Sequence, residues 1–409
     1  MASETASPQV AQVQSPKQLD AALGDKADPS TPSTPTDARS LNDARSKTIT
    51  VADGHDTHGA VNQHPAGEHA GGLRVGVSED RNRKCRRTME DSHAFIYDYG
   101  GVRGQGFFAV FDGHAGKHAA EWCGANFHEY LLAELRAKPD DPVPDLLNST
   151  FHEVDSKLSQ LAADEGTHSG CTAVTAFLRL ETAEGKPIGS HGGAGPPTER
   201  DAETGDAASE PPSSSEKISS GQKIRNLFKR HSTTTPPESK PTPPPSTDAD
   251  AQPTAVPSGS NVRRALYTAN VGDARAVLSR GGKAVRLTYD HKGSDPQEVK
   301  RITDAGGFVL NQRVNGVLAV TRALGDASVK QFVSGSPYTT ETTLGDDDTQ
   351  LIIACDGLWD VCSDQQAVDL IKDVPDPQEA SRKLLEHALG AFSTDNLSVI
   401  VVSLGAPSA

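Results

Sequence analysis

The sequence predicts an α+β fold with mainly antiparallel strands. Short β-branched apolar runs end at turn residues, amphipathic helical stretches lie among them, and the two kinds of element do not alternate strictly. A doubly wound parallel sheet would need that alternation.

In chain order, residues 1 to 72 are rich in Ser, Thr, Pro, Asp, Ala and Gln and contain no aromatic side chain. A disordered tail is expected there. FFAVFD (107–112) reads as a strand, and Cys123, Phe127, Leu131 and Leu135 then recur every fourth residue. Leu147, Phe151, Val154, Leu158 and Leu161 follow the same facial rule, so two helices should each lay one face on a sheet. TAVTAFLRL (172–180) is the next strand. Residues 183 to 262 carry GGAGPP, EPPSSS and PESKPTPPPS, and their length far exceeds an ordinary loop. They are expected to form a disordered surface insert within one domain built from residues 73–182 and 263–405. RALYTANVGD (264–273), RAVLSR (275–280), QLIIACD (350–356) and LSVIVVSL (397–404) complete the strands. Asp295-Pro296, Asp376-Pro377 and the pair Ser363 and Gln366 are helix starts, with Gly306 and Gly390 as stops. No internal repeat is visible.

Composition agrees with a chain that packs only in part. Hydrophobic residues make up 35% and aromatic ones 5%, against 37 Gly and 27 Pro. The formal net charge of -15 argues against sequence-independent nucleic-acid binding, which needs clustered Lys and Arg. Cys85, Cys123, Cys171, Cys355 and Cys362 are an odd set without a C-x-x-C pair, which fits a reduced compartment. MASETASPQV lacks the basic start and apolar core of a signal peptide, and no run of about 18 apolar residues occurs. The expectation is a monomeric cytoplasmic and/or nuclear protein with no membrane partner, in which the glycosylation-like strings at Asn148 and Asn396 are chance matches.

Four strand-like runs end in, or lead from, a carboxylate at a turn: Asp112 in FFAVFDGH, Asp273 in ANVGD, Asp356 in LIIACDG and Asp395 in TDN. Asp and Gly end strands for ordinary reasons, which accounts for any one of these sites taken alone. Four together could present acidic oxygens to a common point, and hard cations such as Mg²⁺ and Mn²⁺ select oxygen ligands.

RTMEDSH (87–93), FFAVFDGHAG (107–116), SGCTAV (169–174), ANVGDAR (269–275), RVNGVLAVTRALGD (313–326), ACDGLWD (354–360) and TDNLSVIVV (394–402) resemble the ordered motifs of the metal-dependent protein phosphatases of type 2C. VGVSEDRNRKCRRTMED (75–91) is similar to the fungal type 1 members in particular. The resemblance implies two antiparallel β-sheets packed as a central sandwich flanked by α-helices, with a metal cleft at one sheet edge. It implies a protein serine/threonine phosphatase acting through a hydroxide that bridges two Mn²⁺ or Mg²⁺ ions, and a negative regulator of kinase signalling. By matching position, Asp112 bridges both metals, Asp356 and Asp395 complete one site, and Glu90 with the Gly113 carbonyl serves the other. Asp91 orients coordinated waters, Arg86 binds phosphate and His114 is the general acid. Asp273 and Asp360 fall where some members build a weaker third metal site with Asp356.

Alternatives stay open at several positions. Arg87 competes with Arg86 for the phosphate, His114 also reads as a turn histidine, and Asp360 as a turn before a helix. Cys171, Val271 and Gly293 depart from the family pattern at positions that are not ligands. Cysteine-based phosphatase chemistry is excluded, because the positions six after each cysteine are Asp91, Glu129, Phe177, Val361 and Val368 and none is Arg. A binding module without activity would not need every carboxylate. A two-metal nuclease would normally carry a basic track. The expected partners are phosphorylated proteins, stress-response kinases among them, with adaptor docking through the 183–262 insert. Within the insert, KIRNLFKR (223–230) reads equally as a docking helix or a solvated basic run. Ser7, Ser15, Thr31, Thr34, Thr235 and Thr242 each precede Pro, the pattern of proline-directed kinases.

Overall fold

A computed structural model describes residues 47–49, 72–189 and 262–405. The Ser/Thr-Pro sites and KIRNLFKR lie outside the described residues. A six-stranded antiparallel sheet runs β1 (Lys47–Ile49), β2 (Leu73–Asp80), β16 (Leu397–Leu404), β15 (Asp348–Ala354), β9 (Arg275–Arg280), β10 (Lys283–Arg286). A five-stranded antiparallel sheet runs β14 (Tyr338–Thr343), β8 (Arg263–Val271), β7 (Ala173–Glu181), β4 (Gly106–Phe111), β3 (Ser92–Tyr97). Two small sheets stand apart, β13 (Leu324–Gly325) with β6 (Gly170–Cys171) and β5 (Gly113–His114), and β11 (Val309–Leu310) with β12 (Arg313–Val314).

Period-two patterning explains why the two large sheets pack face to face. In β4, Phe108 and Val110 join Val174, Leu178, Leu266, Leu351, Ile353, Ile400 and Val402 in the layer between the sheets. Phe107, Ala109 and Phe111 point the other way, onto Phe127 and Leu131 of α1 (His118–Ala137) and Phe151 and Val154 of α2 (Val143–Glu165). In β15, Ile352 and Ala354 pack instead on α4 (Asp356–Trp359), α5 (Asp364–Ile371) and α6 (Pro377–Gly390). The result is a helix–sheet–sheet–helix sandwich. Each fully buried Phe, Leu or Ile contributes about 1.5–3 kcal/mol of transfer free energy. A satellite cluster of Ile302, Val314, Val320, Ala323 and Val333 gathers around α3 (Pro296–Asp304).

The helix starts follow local chemistry. Asp295 and Asp376 accept from the second backbone N–H of α3 and α6, and Ser363 with Gln366 forms a capping box on α5. Gly306, at φ +86°, ends α3 as expected. Gly390 does not act as a stop, because α6 runs through it and the left-handed residue beyond is Phe392, at φ 62°. Three departures concern order and strands. Lys47–Ile49, within the stretch read as a tail, pairs with Val77–Glu79. Residues 183–189 fold back on β7, with the Ile188 N–H donating to the Leu180 carbonyl. β2, β3 and β14 escaped the patterning: a Cβ on Gly76 would lie 2.1 Å from the Pro377 backbone, so β2 uses a glycine, a poor strand former, to let α6 settle on it.

Candidate functional site

Both large sheets deliver carboxylates to one edge. Asp112 follows β4 and Asp273 lies two residues beyond β8, so both leave the five-stranded sheet. Asp356 lies two residues beyond β15 and Asp395 two residues before β16, at the equivalent end of the six-stranded sheet. The register makes this possible: Ala354 sits opposite both Val399 and Arg275, and Val110 opposite Val174.

The loop carrying Arg86, Glu90 and Asp91 is drawn onto this edge by Asn396. Its amide donates to the Arg81 carbonyl at 2.9 Å and the Thr88 carbonyl at 3.1 Å, and its side-chain oxygen accepts from the Glu90 N–H at 2.8 Å. Gly113 completes the approach, since a Cβ there would lie 2.3 Å from the Glu90 carbonyl oxygen. Glu90 accepts from Thr88 Oγ1 at 2.9 Å and from the Gly116 N–H at 3.2 Å. Arg86 pairs with Asp395 and donates through Nε to the Thr394 carbonyl at 3.2 Å. Arg87 lines a cavity of about 560 Å³ that reaches Asp91 and is edged by Arg81, Met89 and Lys117.

Electrostatically the edge is unbalanced. Burial, then the charges of Asp91, Asp356, Asp273 and Asp395, hold the Asp112 carboxyl well above the usual range. Asp356 is raised well above it by burial and by Asp273, Asp395, Asp360 and Asp91. Burial, with Asp395 adding, pushes Asp91 up to about 6. Asp395 is raised by burial although Asn396 and Arg86 oppose the shift. Asp273 is raised by burial against the pull of Lys292.

These residues fit a divalent metal centre. Both Asp91 oxygens, Asp273 Oδ1 and Asp356 Oδ1 are buried without a hydrogen-bond partner. Orphaned buried anionic oxygens are costly unless a cation meets them, and an all-oxygen donor set suits Mg²⁺ or Mn²⁺. Among the described residues, no three His, Cys, Asp or Glu side chains close into a preformed metal cage. Mg²⁺ commonly keeps several waters and takes few protein ligands, which is the kind of binding an open cleft suits.

The corner assigned to a third metal carries a protein cation. Lys292 Nζ lies 3.2 Å from Asp273 Oδ2 and 3.3 Å from Asp360 Oδ1. Asp360 is otherwise exposed. His114 is held from the far side, its Nε2 2.7 Å from Asp326 Oδ2. Sequence reasoning passed over Asp326, Asn396 and Lys292. The first two stand inside RALGD and TDN, and Lys292 follows Asp290 and His291, so the signal was proximity to motifs and not a role.

The family profile of Protein phosphatase 2C matches residues 75–184 and 213–397. The chain belongs to the protein phosphatase 2C family. It is 40% identical over 331 residues to Protein phosphatase 2C homolog 1 of Schizosaccharomyces pombe, covering 81% of this chain and 73% of that one. Identity to Protein phosphatase 2C homolog 1 of Saccharomyces cerevisiae is 37% over 347 residues, covering 85% and 99%. The similarity to fungal type 1 members read from the motifs is thereby found over most of the chain. Among solved structures, a sex-determining protein of C. elegans superposes with a TM-score of 0.58 at 23% identity, over 83% of this chain and 67% of that one. A phosphatase from Toxoplasma gondii superposes at 0.55 and 19%, over 82% and 94%. These last two bear on the fold alone, and that fold is the sandwich described above. As a member of the 2C family, the protein is a metal-dependent protein serine/threonine phosphatase.

Proposed function

We propose that the carboxylate edge is the phosphatase centre, with Asp112, Asp356, Asp395, Glu90 and the Gly113 carbonyl as the groups that would hold two Mn²⁺ or Mg²⁺ ions and Asp91 placed to orient their waters. The observation that carries this reading is the convergence of Asp112, Asp356 and Asp395 from strand ends of both large sheets on one edge, beside buried Asp91 and Asp356 oxygens that have no hydrogen-bond partner. When bound, such ions make water nucleophilic near neutral pH and spread the charge of a transferring phosphoryl group. The chain's own residues supply the rest. Arg86, beside Asp395, offers a guanidinium to the phosphate oxygens. His114 delivers a proton to the serine or threonine oxygen as its bond to phosphorus breaks. Asp273 and Asp360, bridged by Lys292, border the site and are not needed for the pair of ions.

The substrates on this reading are phosphorylated proteins, stress-response kinases among them, which makes the enzyme a negative regulator of kinase signalling in the cytoplasm and/or nucleus. It acts as a monomer, with residues 1–72 and 183–262 available for regulation and adaptor docking. Phosphate release from a phosphoserine peptide, with and without Mn²⁺, tests the centre. Activity that persists in chelator, or in Asp356→Ala, would overturn the assignment.

A further inference from the structure

We propose that Asp326 is a positioning residue for His114, fixing the imidazole through Nε2 so that Nδ1 is the nitrogen that meets the leaving oxygen. The inference rests on the general-acid reading of His114 and adds the group through which the ring is aimed.

Six observations converge on it. The 2.7 Å contact joins a half-buried ring, 24% exposed, to a carboxylate that is 7% exposed. Among the described residues no Lys or Arg lies in an ion pair with Asp326, so its charge is directed at His114. The three-stranded sheet exists in a form that produces this contact: Gly170 of β6 sits opposite His114 of β5 on one side and Gly325 of β13 on the other. Residue 170 must be glycine for the carboxylate to cross, because a Cβ would lie 2.3 Å from Asp326 Oδ2. Asp326 itself holds a left-handed backbone, at φ 50°, a conformation that Asp and Asn tolerate better than most residues. The strand that delivers it is tied to α2, where Asp155 accepts from the Gly325 N–H at 2.9 Å and pairs with Lys330 at 2.5 Å.

A loop-closing role alone would affect all substrates alike. A role through His114 would depend on the leaving group, since an alkoxide needs a proton and a nitrophenolate does not. The test compares Asp326→Asn, Gly170→Ala, His114→Ala and the double variant His114→Ala/Asp326→Asn, on a phosphoserine peptide and on p-nitrophenyl phosphate. Asn tolerates the left-handed backbone, and Gly170→Ala pushes the carboxylate aside without removing it. Asp326→Asn should lower kcat on the peptide roughly 10- to 100-fold, a part of the roughly 10²- to 10⁴-fold that general-acid catalysis contributes. On the aryl phosphate it should fall less than about threefold, with KM and the Mn²⁺ midpoint unchanged. Gly170→Ala should repeat the pattern, and the double variant should be no slower than His114→Ala. Equal losses on both substrates for Asp326→Asn, or an additive double variant, overturn the proposal. If His114→Ala itself lacks the substrate difference, the general-acid reading fails first, and that result is read from His114→Ala alone.

Discussion

Asp112 and Glu298 are both carboxylates surrounded by protein, yet they titrate in opposite directions. Burial would raise Glu298, but hydrogen bonds from Arg322 and Arg301 outweigh it and hold the carboxyl down to about 2. The contacts are 2.7 Å from Arg322 Nη2 and 2.9 Å from Arg301 Nη2. Around Asp112 the neighbouring charges that matter are Asp91, Asp356, Asp273 and Asp395. The partners differ. The scaffold neutralises its buried anion with arginines built into the chain, whereas the cleft leaves its carboxylates facing one another, as the proposed metal centre requires.

The largest effect expected from breaking this contrast is at Asp112. Asp112→Asn should lower Mn²⁺-dependent turnover by more than about a thousandfold, since several kcal/mol of transition-state charge stabilisation depend on the ions it holds. The same change should raise the Tm of the metal-free protein, because it removes one member of a repelling set. A lower metal-free Tm, or near-normal activity at limiting Mn²⁺, would break the comparison.

Glu298→Gln should act in reverse, costing about 3 kcal/mol by leaving two arginines short of their anion, as read by urea unfolding. The pH dependence has a definite sign. A folded pKa near 2 lies below the unfolded value of a glutamate, so this pairing contributes fully above about pH 4.5. Its contribution is lost as pH falls from there toward 2. Stability measured over that interval should fall more steeply in the native protein than in Glu298→Gln, and parallel curves would contradict the assignment.

Lys292→Met sharpens the comparison at the border, where a lysine serves as counter-ion to Asp273 and Asp360. Removing it should create an additional weak Mn²⁺ site, visible by calorimetry and absent from the native protein. The smallest effect belongs to the segment most remote in kind. Excising residues 191–258 and closing the gap with a short Gly/Ser turn should change phosphopeptide kcat/KM by less than about twofold, since a long flexible insert, as read from its composition, costs little to close or to remove. A folded but inactive deletion would show that the insert helps to build the site.

Much of this was legible in the chain because period-two and period-3.6 patterning records burial directly. FFAVF, TAVTAFLRL and LSVIVVSL became β4, β7 and β16, and the Cys123 to Leu135 series became the buried face of α1. Carboxylates at strand ends were legible for the same reason, since the strand that positions each one was recognisable. The strand β2 was not, because its glycine serves a helix more than 300 residues away. Lys292 and Asp326 were not, because each acts on residues brought near only by the fold, and no local spacing encodes a contact between residues 114 and 326.

The pairing of Arg86 with Asp395 has a consequence for how the enzyme fills. Under the proposed assignments, the guanidinium that would bind phosphate is already paired with a carboxylate that would hold a metal. An ion taken up by Asp395 weakens that carboxylate's hold on Arg86, and a phosphate that captures Arg86 leaves Asp395 freer for an ion. On the proposed assignments, occupancy of either partner would raise the affinity for the other by the same factor, as reciprocity requires. On the same assignments, substrate and metal would load as cooperating ligands, and the phosphatase would respond to their joint concentration.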